Sequence, residues 1–384
     1  MSRLTTGSGR PLQRIIYGTG YKRFRTTRYL DEALTMGFTA IDTGNWRKAP
    51  PALFFFFFSS SGPSANGRAV KVFLEEYVGR ALETNRFPRQ HLFVQSKFVS
   101  LPHHHPLVSP YTPYGSDPDK VADACQVSFY RSLENLRTSY VDAFLVYAPE
   151  LTVTPMASLL RVLQKLKQQG RIRFTGLSNV LTVDILRHLH DQFPGVIEIV
   201  QNPLHSPWDP EYKVWKYCRD NSIAFHTYHT LTSSNRILQD GTMKRIAECQ
   251  QCSPQVALLQ YCHRSGITPI LGPTTQNNLE STLQLARGEI QDLPDDHVRS
   301  LSRLFAEETV INRYRGASLL VRQAKEQQKR ESLKEKDRNQ RVLSEERLRK
   351  GLAEEQSFVE AARARAKAFV ERLREQEKEA KETK

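Results

Sequence analysis

The sequence predicts a (β/α)8 barrel. Eight short apolar runs recur between residues 14 and 305 of the 384-residue chain, and longer amphipathic stretches separate most of them. Several runs are apolar nearly throughout, as strands of a parallel sheet are when helices cover its outer face. Eight such strands in this length point to a closed barrel. A doubly wound sheet is the alternative, but no Gly-x-Gly-x-x-Gly follows the first strand to support it.

The strands are expected at 15–17, 38–42, 92–97, 141–147, 174–178, 197–201, 223–228 and 267–271. Helices are expected at 121–136, 156–169, 183–191, 211–220 and 253–265. In the second of these, Leu159, Leu160, Val162, Leu163 and Leu166 recur at three and four residues, which makes one apolar stripe. Barrel chemistry sits where strands end and loops begin. The polar and small residues at those ends are Gly18 and Thr19 after the first strand, Asp42, Lys97 and Tyr147 closing the next three, then Ser178 with Asn179, Gln201, Tyr228 and Gly272.

Composition narrows the class. With 39% hydrophobic and 25% charged residues and a mean hydropathy of −0.52, some segment is expected outside any packed core. The longest apolar run, residues 53–58, is far too short for a membrane span, so no membrane partner is expected. Five cysteines are too few and too odd for a disulfide scaffold, which favours a reducing compartment, the cytoplasm. The first 29 residues are basic and free of acids, as in a mitochondrial presequence, yet a strand starting near Arg14 leaves little to cleave. The formal charge of +14 invites a nucleic-acid reading, but roughly half of the excess lies beyond residue 310 among many glutamates.

The ordered set of strand ends resembles the aldo-keto reductase superfamily over residues 14–304. Gly37-Phe38-Thr39-Ala40-Ile41-Asp42-Thr43 resembles its second-strand signature, and Phe93-Val94-Gln95-Ser96-Lys97 the strand carrying its lysine. Ser132-Leu133-Glu134-Asn135-Leu136 with Tyr140-Val141-Asp142 resembles the run into strand four. Gly170-Arg171-Ile172-Arg173-Phe174-Thr175-Gly176-Leu177-Ser178-Asn179 is the most specific match. Gln201-Asn202-Pro203, Tyr228-His229-Thr230-Leu231 and Ser253-Pro254-Gln255-Val256-Ala257-Leu258 follow in the expected order.

The resemblance implies hydride transfer between a nicotinamide dinucleotide and an aldehyde or ketone. A carbonyl accepting hydride develops negative charge on oxygen and needs a donor beside it. The family uses a tyrosine whose ordinary pKa of about 10 is lowered by a lysine, with an aspartate paired to that lysine and a histidine orienting the carbonyl. Asp42 and Lys97 match the aspartate and lysine. Ser178, Asn179 and Gln201 match the residues that hold the carboxamide, Tyr228 the platform under the ring, and Gly18 and Thr19 the first loop near the cofactor. Leu231, Gly272, Thr274 and Asn278 fall in the loops after strands seven and eight that would hold the rest of the nucleotide. The loop after strand eight carries no cation, only hydroxyls and amides; family habit nonetheless favours NADP(H) over NAD(H).

Two departures fall on the catalytic positions. Tyr147 stands where the family has histidine. Between Arg47-Lys48 and Glu75-Glu76-Tyr77-Val78-Gly79 lies a low-complexity stretch, 49–74, with five consecutive phenylalanines and a serine run. Counted back from Glu75, the tyrosine position holds Phe73, which has no hydroxyl. Three explanations stay open: 49–74 is translated non-coding sequence, as its pyrimidine-tract character suggests; the insertion is genuine and turnover has been lost; or Tyr147 serves as the acid.

Cys249-Gln-Gln-Cys252 lacks the second pair that zinc spacing requires, and His103–His105, His226 and His229 read as loop and pocket residues, so no metal is expected. Residues 306–384 change character. From Val321 onward there is no proline, one glycine (Gly351), and dense opposite charges three and four apart, such as Glu331 with Lys334 and Glu335 with Arg338. Leu352, Val359, Ala362, Ala366, Phe369 and Leu373 fit a coiled-coil seam over about three heptads. A charged helix is expected there, with a helical partner or self-association as its possible roles; the lack of interleaved aromatics argues against nucleic acid. The rival to a reductase is a nucleotide-binding protein of little turnover with a regulatory or scaffolding role.

Overall fold

The computed structural model describes residues 4–46, 73–84, 87–101, 114–115, 117–204 and 213–305. The tail 306–384, the triple histidine and all of the 49–74 stretch except Phe73 and Leu74 lie outside the described residues. Eight parallel strands close into a barrel in chain order: β1 (Ile16–Gly18), β2 (Ala40–Asp42), β3 (Phe93–Val99), β4 (Val141–Tyr147), β5 (Ile172–Ser178), β6 (Ile199–Pro203), β7 (Ala224–Tyr228) and β8 (Ile267–Leu271). The last bond of the ring pairs Ile16 with Ile270. Each of the eight expected strands is found, with ends shifted by up to two residues.

Helices follow the strands as expected. They are α1 (Thr26–Met36), α2 (Glu75–Thr84), α3 (Pro118–Leu136), α4 (Val153–Gln168), α5 (Val183–Gln192), α6 (Lys213–Asp220), the short α7 (Thr230–Ser233) and α8 (Asn235–Gln239), α9 (Gly241–Cys249), α10 (Pro254–Arg264) and α11 (Gln276–Arg287). Helix α3 starts three residues earlier than its apolar stripe suggests. Asp117 accepts from the N–H groups of Asp119 and Lys120, and Pro118 at the first helical position needs no partner for its nitrogen. Ser253 caps α10 in the same way.

Two of the three apolar clusters among the described residues build the barrel, and the third gathers Trp46, Val99 and Tyr147. A small cluster inside the barrel comprises Ile16, Ala40, Phe93, Ala143, Leu145, Ile199 and Ile270. Leu4 joins it because residues 4–12 fold back as a bridge between Thr5 and Pro11, which plugs the barrel end opposite the C-terminal ends of the strands. The larger cluster lies between the strands and the helical ring. Gly176 is required where β5 meets β6, since a Cβ there would run into the Ile199 carbonyl.

The β4 start carries a buried polar knot. Asp142 is fully buried and accepts from Arg89 (2.8 Å), Arg173 (3.0 Å) and the Val94 N–H (3.0 Å). Asp142→Ala is expected to cost about 3 kcal/mol, because two guanidiniums and one backbone donor lose their acceptor together. Urea denaturation should show a lower midpoint with an unchanged slope.

Candidate active site

A cavity of about 1500 Å3 opens at the C-terminal ends of the strands. Its floor is an ion pair: Lys97 Nζ lies 2.6 Å from Asp42 Oδ1, with both side chains 5% exposed or less. Asp42 Oδ1 also accepts from Gln95 Nε2 (2.7 Å) and Gln201 Nε2 (3.0 Å). Three donors on one oxygen hold the carboxylate in place. Burial lowers the Lys97 pKa, and the charge and hydrogen bond of Asp42 oppose that shift.

The arrangement extends downward and sideways. Gln95 spends its amide nitrogen on Asp42, so its Oε1 can only accept, and His226 Nδ1 donates to it at 3.0 Å. His226 is completely buried, and burial together with the Lys97 charge pushes its pKa down to about 3. It is a neutral strut beneath the ion pair. Neither Gln95 nor His226 is marked for this role by the sequence pattern; only their inward registers on the barrel interior reveal it. Ser178 Oγ donates to Gln201 Oε1 at 3.3 Å, which links the mouth of β5 to the same network.

The remaining predicted residues divide. Gly18, Leu231, Gly272, Thr274 and Asn278 lie on the cavity wall, as do Tyr228 and Tyr147. Thr19 does not: it is fully buried and donates both its N–H and its hydroxyl to the Asp42 carbonyl, each at 3.0 Å, so it fixes the β1–β2 mouth. Asn179 sits behind the wall with φ of 58°, accepting a hydrogen bond from Tyr228 Oη. That turn is pinned by Asn202, which exchanges hydrogen bonds with the Val180 N–H (2.9 Å) and carbonyl (2.8 Å). The Tyr228 ring is thereby held as a fixed platform.

Phe73 lies on the cavity wall beside the lysine, its ring centroid 5.1 Å from Lys97 Nζ. It stacks on Trp46 at 6.4 Å, and Trp46 packs against Tyr147 at 5.2 Å. Two residues on, buried Glu75 accepts from Ser96 Oγ (2.5 Å) and Asn135 Nδ2 (3.1 Å), which anchors the start of α2 to β3 and α3. Tyr147 is buried, and desolvation with the nearby Glu150 charge pushes its pKa up to about 12. That direction is the opposite of what a lysine-activated phenol shows.

Sequence pattern also passes over Lys22. It follows β1 between Tyr21 and Arg23, both in the left-handed region at φ 66° and 53°. Its ammonium is turned inward, 2.9 Å from the Gly272 carbonyl and 5.0 Å from the Tyr17 ring centroid. Burial lowers its pKa to about 8.

The profile of the Aldo/keto reductase family matches residues 17–304. The chain belongs to that family. Among its relatives, methylglyoxal reductase DkgB of Escherichia coli O157:H7 is 28% identical over 159 residues, spanning 41% of this chain but only 58% of that enzyme. NAD(P)H-dependent D-xylose reductase of Kluyveromyces lactis is 24% identical over 271 residues, covering 59% of this chain and 75% of that one. Among solved structures, an aldo/keto reductase from Brucella melitensis superposes with a TM-score of 0.59 at 19% identity, covering 78% of this chain and 97% of that one. Aldose reductase from Giardia lamblia gives 0.56 at 21% identity, with 77% and 93% covered. These likenesses show the shared aldo-keto reductase barrel. No helix among the described residues is long and apolar enough to cross a membrane.

Proposed function

We propose that the chain binds a nicotinamide dinucleotide, NADP(H) in preference to NAD(H), across the barrel mouth and reduces a small aldehyde or ketone. The observation that carries this reading is the buried Asp42–Lys97 pair on the floor of a cavity that Ser178, Gln201 and Tyr228 also line. The residues fit the group. The cavity exceeds the roughly 300–1,000 Å3 of drug-sized sites, as a dinucleotide with a carbonyl substrate requires. Tyr228 offers a flat face, and Ser178 and Gln201 offer hydroxyl and amide partners for a carboxamide. Relatives support a nicotinamide dinucleotide: the K. lactis enzyme is NAD(P)H-dependent, and a further structural neighbour was solved with NADPH.

When bound, the reduced nicotinamide supplies the hydride. Tyr228 would offer its flat face to the ring, and Ser178 with Gln201 would hold its carboxamide. Lys97 offers positive charge where the carbonyl oxygen becomes negative, in a site where low polarity strengthens that attraction. Asp42 keeps the ammonium in position. The proton is the weak point, because Phe73 has no hydroxyl and the Tyr147 phenol is made less acidic by burial. This favours a second reading: a nucleotide-binding member with slow turnover, acting through regulation or scaffolding.

Titration of NADPH fluorescence, followed by turnover of a reactive aldehyde, separates the cases. Micromolar binding with measurable oxidation of NADPH is the expected result. Binding without oxidation selects the second reading. A chain that binds neither NADPH nor NADH refutes both.

A further inference from the structure

We propose that this site transfers hydride without a general acid and so selects electron-poor acceptors, quinones above all, whose reduced oxygen is stable as an anion. The proposal rests on the reductase reading above and names the class of acceptor that the site turns over.

The argument begins with what surrounds the lysine. The ring that stands beside Lys97 Nζ, its centroid 5.1 Å away, is that of Phe73, a hydrocarbon. Asp42 is occupied as the acceptor of three hydrogen bonds. Tyr147 is a poor acid, because burial and then the Glu150 charge push its pKa up to about 12. The Tyr228 hydroxyl is given to Asn179, and burial raises its pKa as well. His226 is neutral and bonded to Gln95 inside the barrel.

Lys97 itself supplies charge rather than a proton. Releasing that proton would leave the buried Asp42 carboxylate without its cation. Of the three N–H donors on its ammonium, one goes to Asp42 Oδ1, and no acceptor among the described residues takes the other two. Lys97 lines the cavity, so those two donors can serve an oxyanion formed there.

The basicity of the product then decides which acceptors react. Hydride adding to an aldehyde carbon drives the carbonyl π pair onto oxygen. The alkoxide so formed is about as basic as hydroxide, whose conjugate acid, water, has a pKa of about 15.7. Hydride adding to a quinone instead leaves a hydroquinone monoanion, a phenolate, and phenols ionise at about 10. The hydride comes from the reduced nicotinamide, which is oxidised; the phenolate leaves and takes its second proton from water. An anion less basic by roughly six units needs only a charge beside it, which Lys97 provides. The walls suit a flat conjugated ring: Phe73, Trp46 and Tyr147 pack on one another and all line the cavity.

Turnover of benzaldehyde and of duroquinone with NADPH, by the full chain and by its Phe73→Tyr variant, tests this. Duroquinone is a para-quinone with no open ring position for a thiol to attack. Phe73→Tyr is expected to speed benzaldehyde by about 10²- to 10⁴-fold and to leave duroquinone within about threefold of wild type, because only the first waits for a proton. An equal gain for both overturns the proposal. So does a wild type that reduces benzaldehyde but not duroquinone, which leaves the reductase reading standing. A chain that binds NADPH and reduces neither overturns it and selects the nucleotide-binding reading. One that binds no nucleotide sinks both.

A spectroscopic test needs neither turnover nor a variant. The probe is para-nitrophenol, which changes colour on ionising. It is titrated into the wild-type chain in the presence of NADP+, at a pH where the free probe is protonated. A site that stabilises a phenolate binds the coloured anion, so the phenolate band is expected to appear on binding. Binding as the neutral phenol, or no binding, overturns the proposal.

Discussion

Phe73→Tyr is expected to raise kcat for aldehyde reduction by about 10²- to 10⁴-fold, the range that a positioned general acid contributes. The Phe73 ring already lies against Lys97, with the ammonium 5.1 Å from its centroid, and stacks on Trp46. Glu75, two residues on, fixes the adjoining helix start through Ser96 and Asn135. The new phenol would sit beside a cation that favours its ionised form, so its pKa should fall below the usual value of about 10. Two readouts follow. Affinity for NADPH should stay within about twofold of wild type, because the change touches the proton and not the platform. The kcat should also decline as pH rises through the pKa of the new phenol, a limb absent from wild type. Tyr147→Phe serves as the control: if it, rather than Phe73→Tyr, moves kcat by more than about tenfold, Tyr147 is the acid and position 73 is not where the proton donor is missing.

The second large effect concerns the ion pair. Asp42→Ala strands a Lys97 side chain that is only 5% exposed, and removing one partner of a buried pair costs about 3–5 kcal/mol. The loss is reinforced by Gln95 and Gln201, which both donate to the same carboxylate oxygen. For a domain of this size the melting temperature should drop by on the order of 10 °C. Asp42→Leu combined with Lys97→Met removes both charges and should recover more than half of that stability, with no recovery of turnover. A double variant no more stable than Asp42→Ala would show that the charge pair is not what the single variant disturbs. The cycle matters because it separates the structural share of the pair from its share in the chemistry.

The ends of the eight strands are legible because buried parallel strands are apolar throughout and stop where the chain turns polar. Asp42, Lys97, Ser178 and Gln201 each close or nearly close such a run, so their convergence at one mouth follows from barrel topology alone. Thr19 and Asn179 read equally well as ligands of a cofactor, and the structure gives each a partner within the protein. Thr19 spends both donors on the Asp42 carbonyl, and Asn179 receives Tyr228 Oη. A polar residue at a strand end is as often the joint between two strands as a contact to solvent, and periodicity cannot tell the two apart. Helix starts are hard to place for a related reason: the cap at Asp117 lies outside the apolar stripe that announces α3.

The barrel, the order of its strands and the family to which the chain belongs are all readable in the sequence. These rest on local pattern, alternation of buried strand with amphipathic helix, which any register of side-chain contacts would satisfy. Tertiary structure alone decided that Gln95 and His226 brace Asp42 from inside the barrel, that Phe73 faces Lys97, and that Lys22 reaches Gly272, 250 residues further along the chain. Each of those facts is a meeting between residues far apart in sequence, enforced by closure of the sheet between β1 and β8 and by the need to pair or enclose buried polar groups.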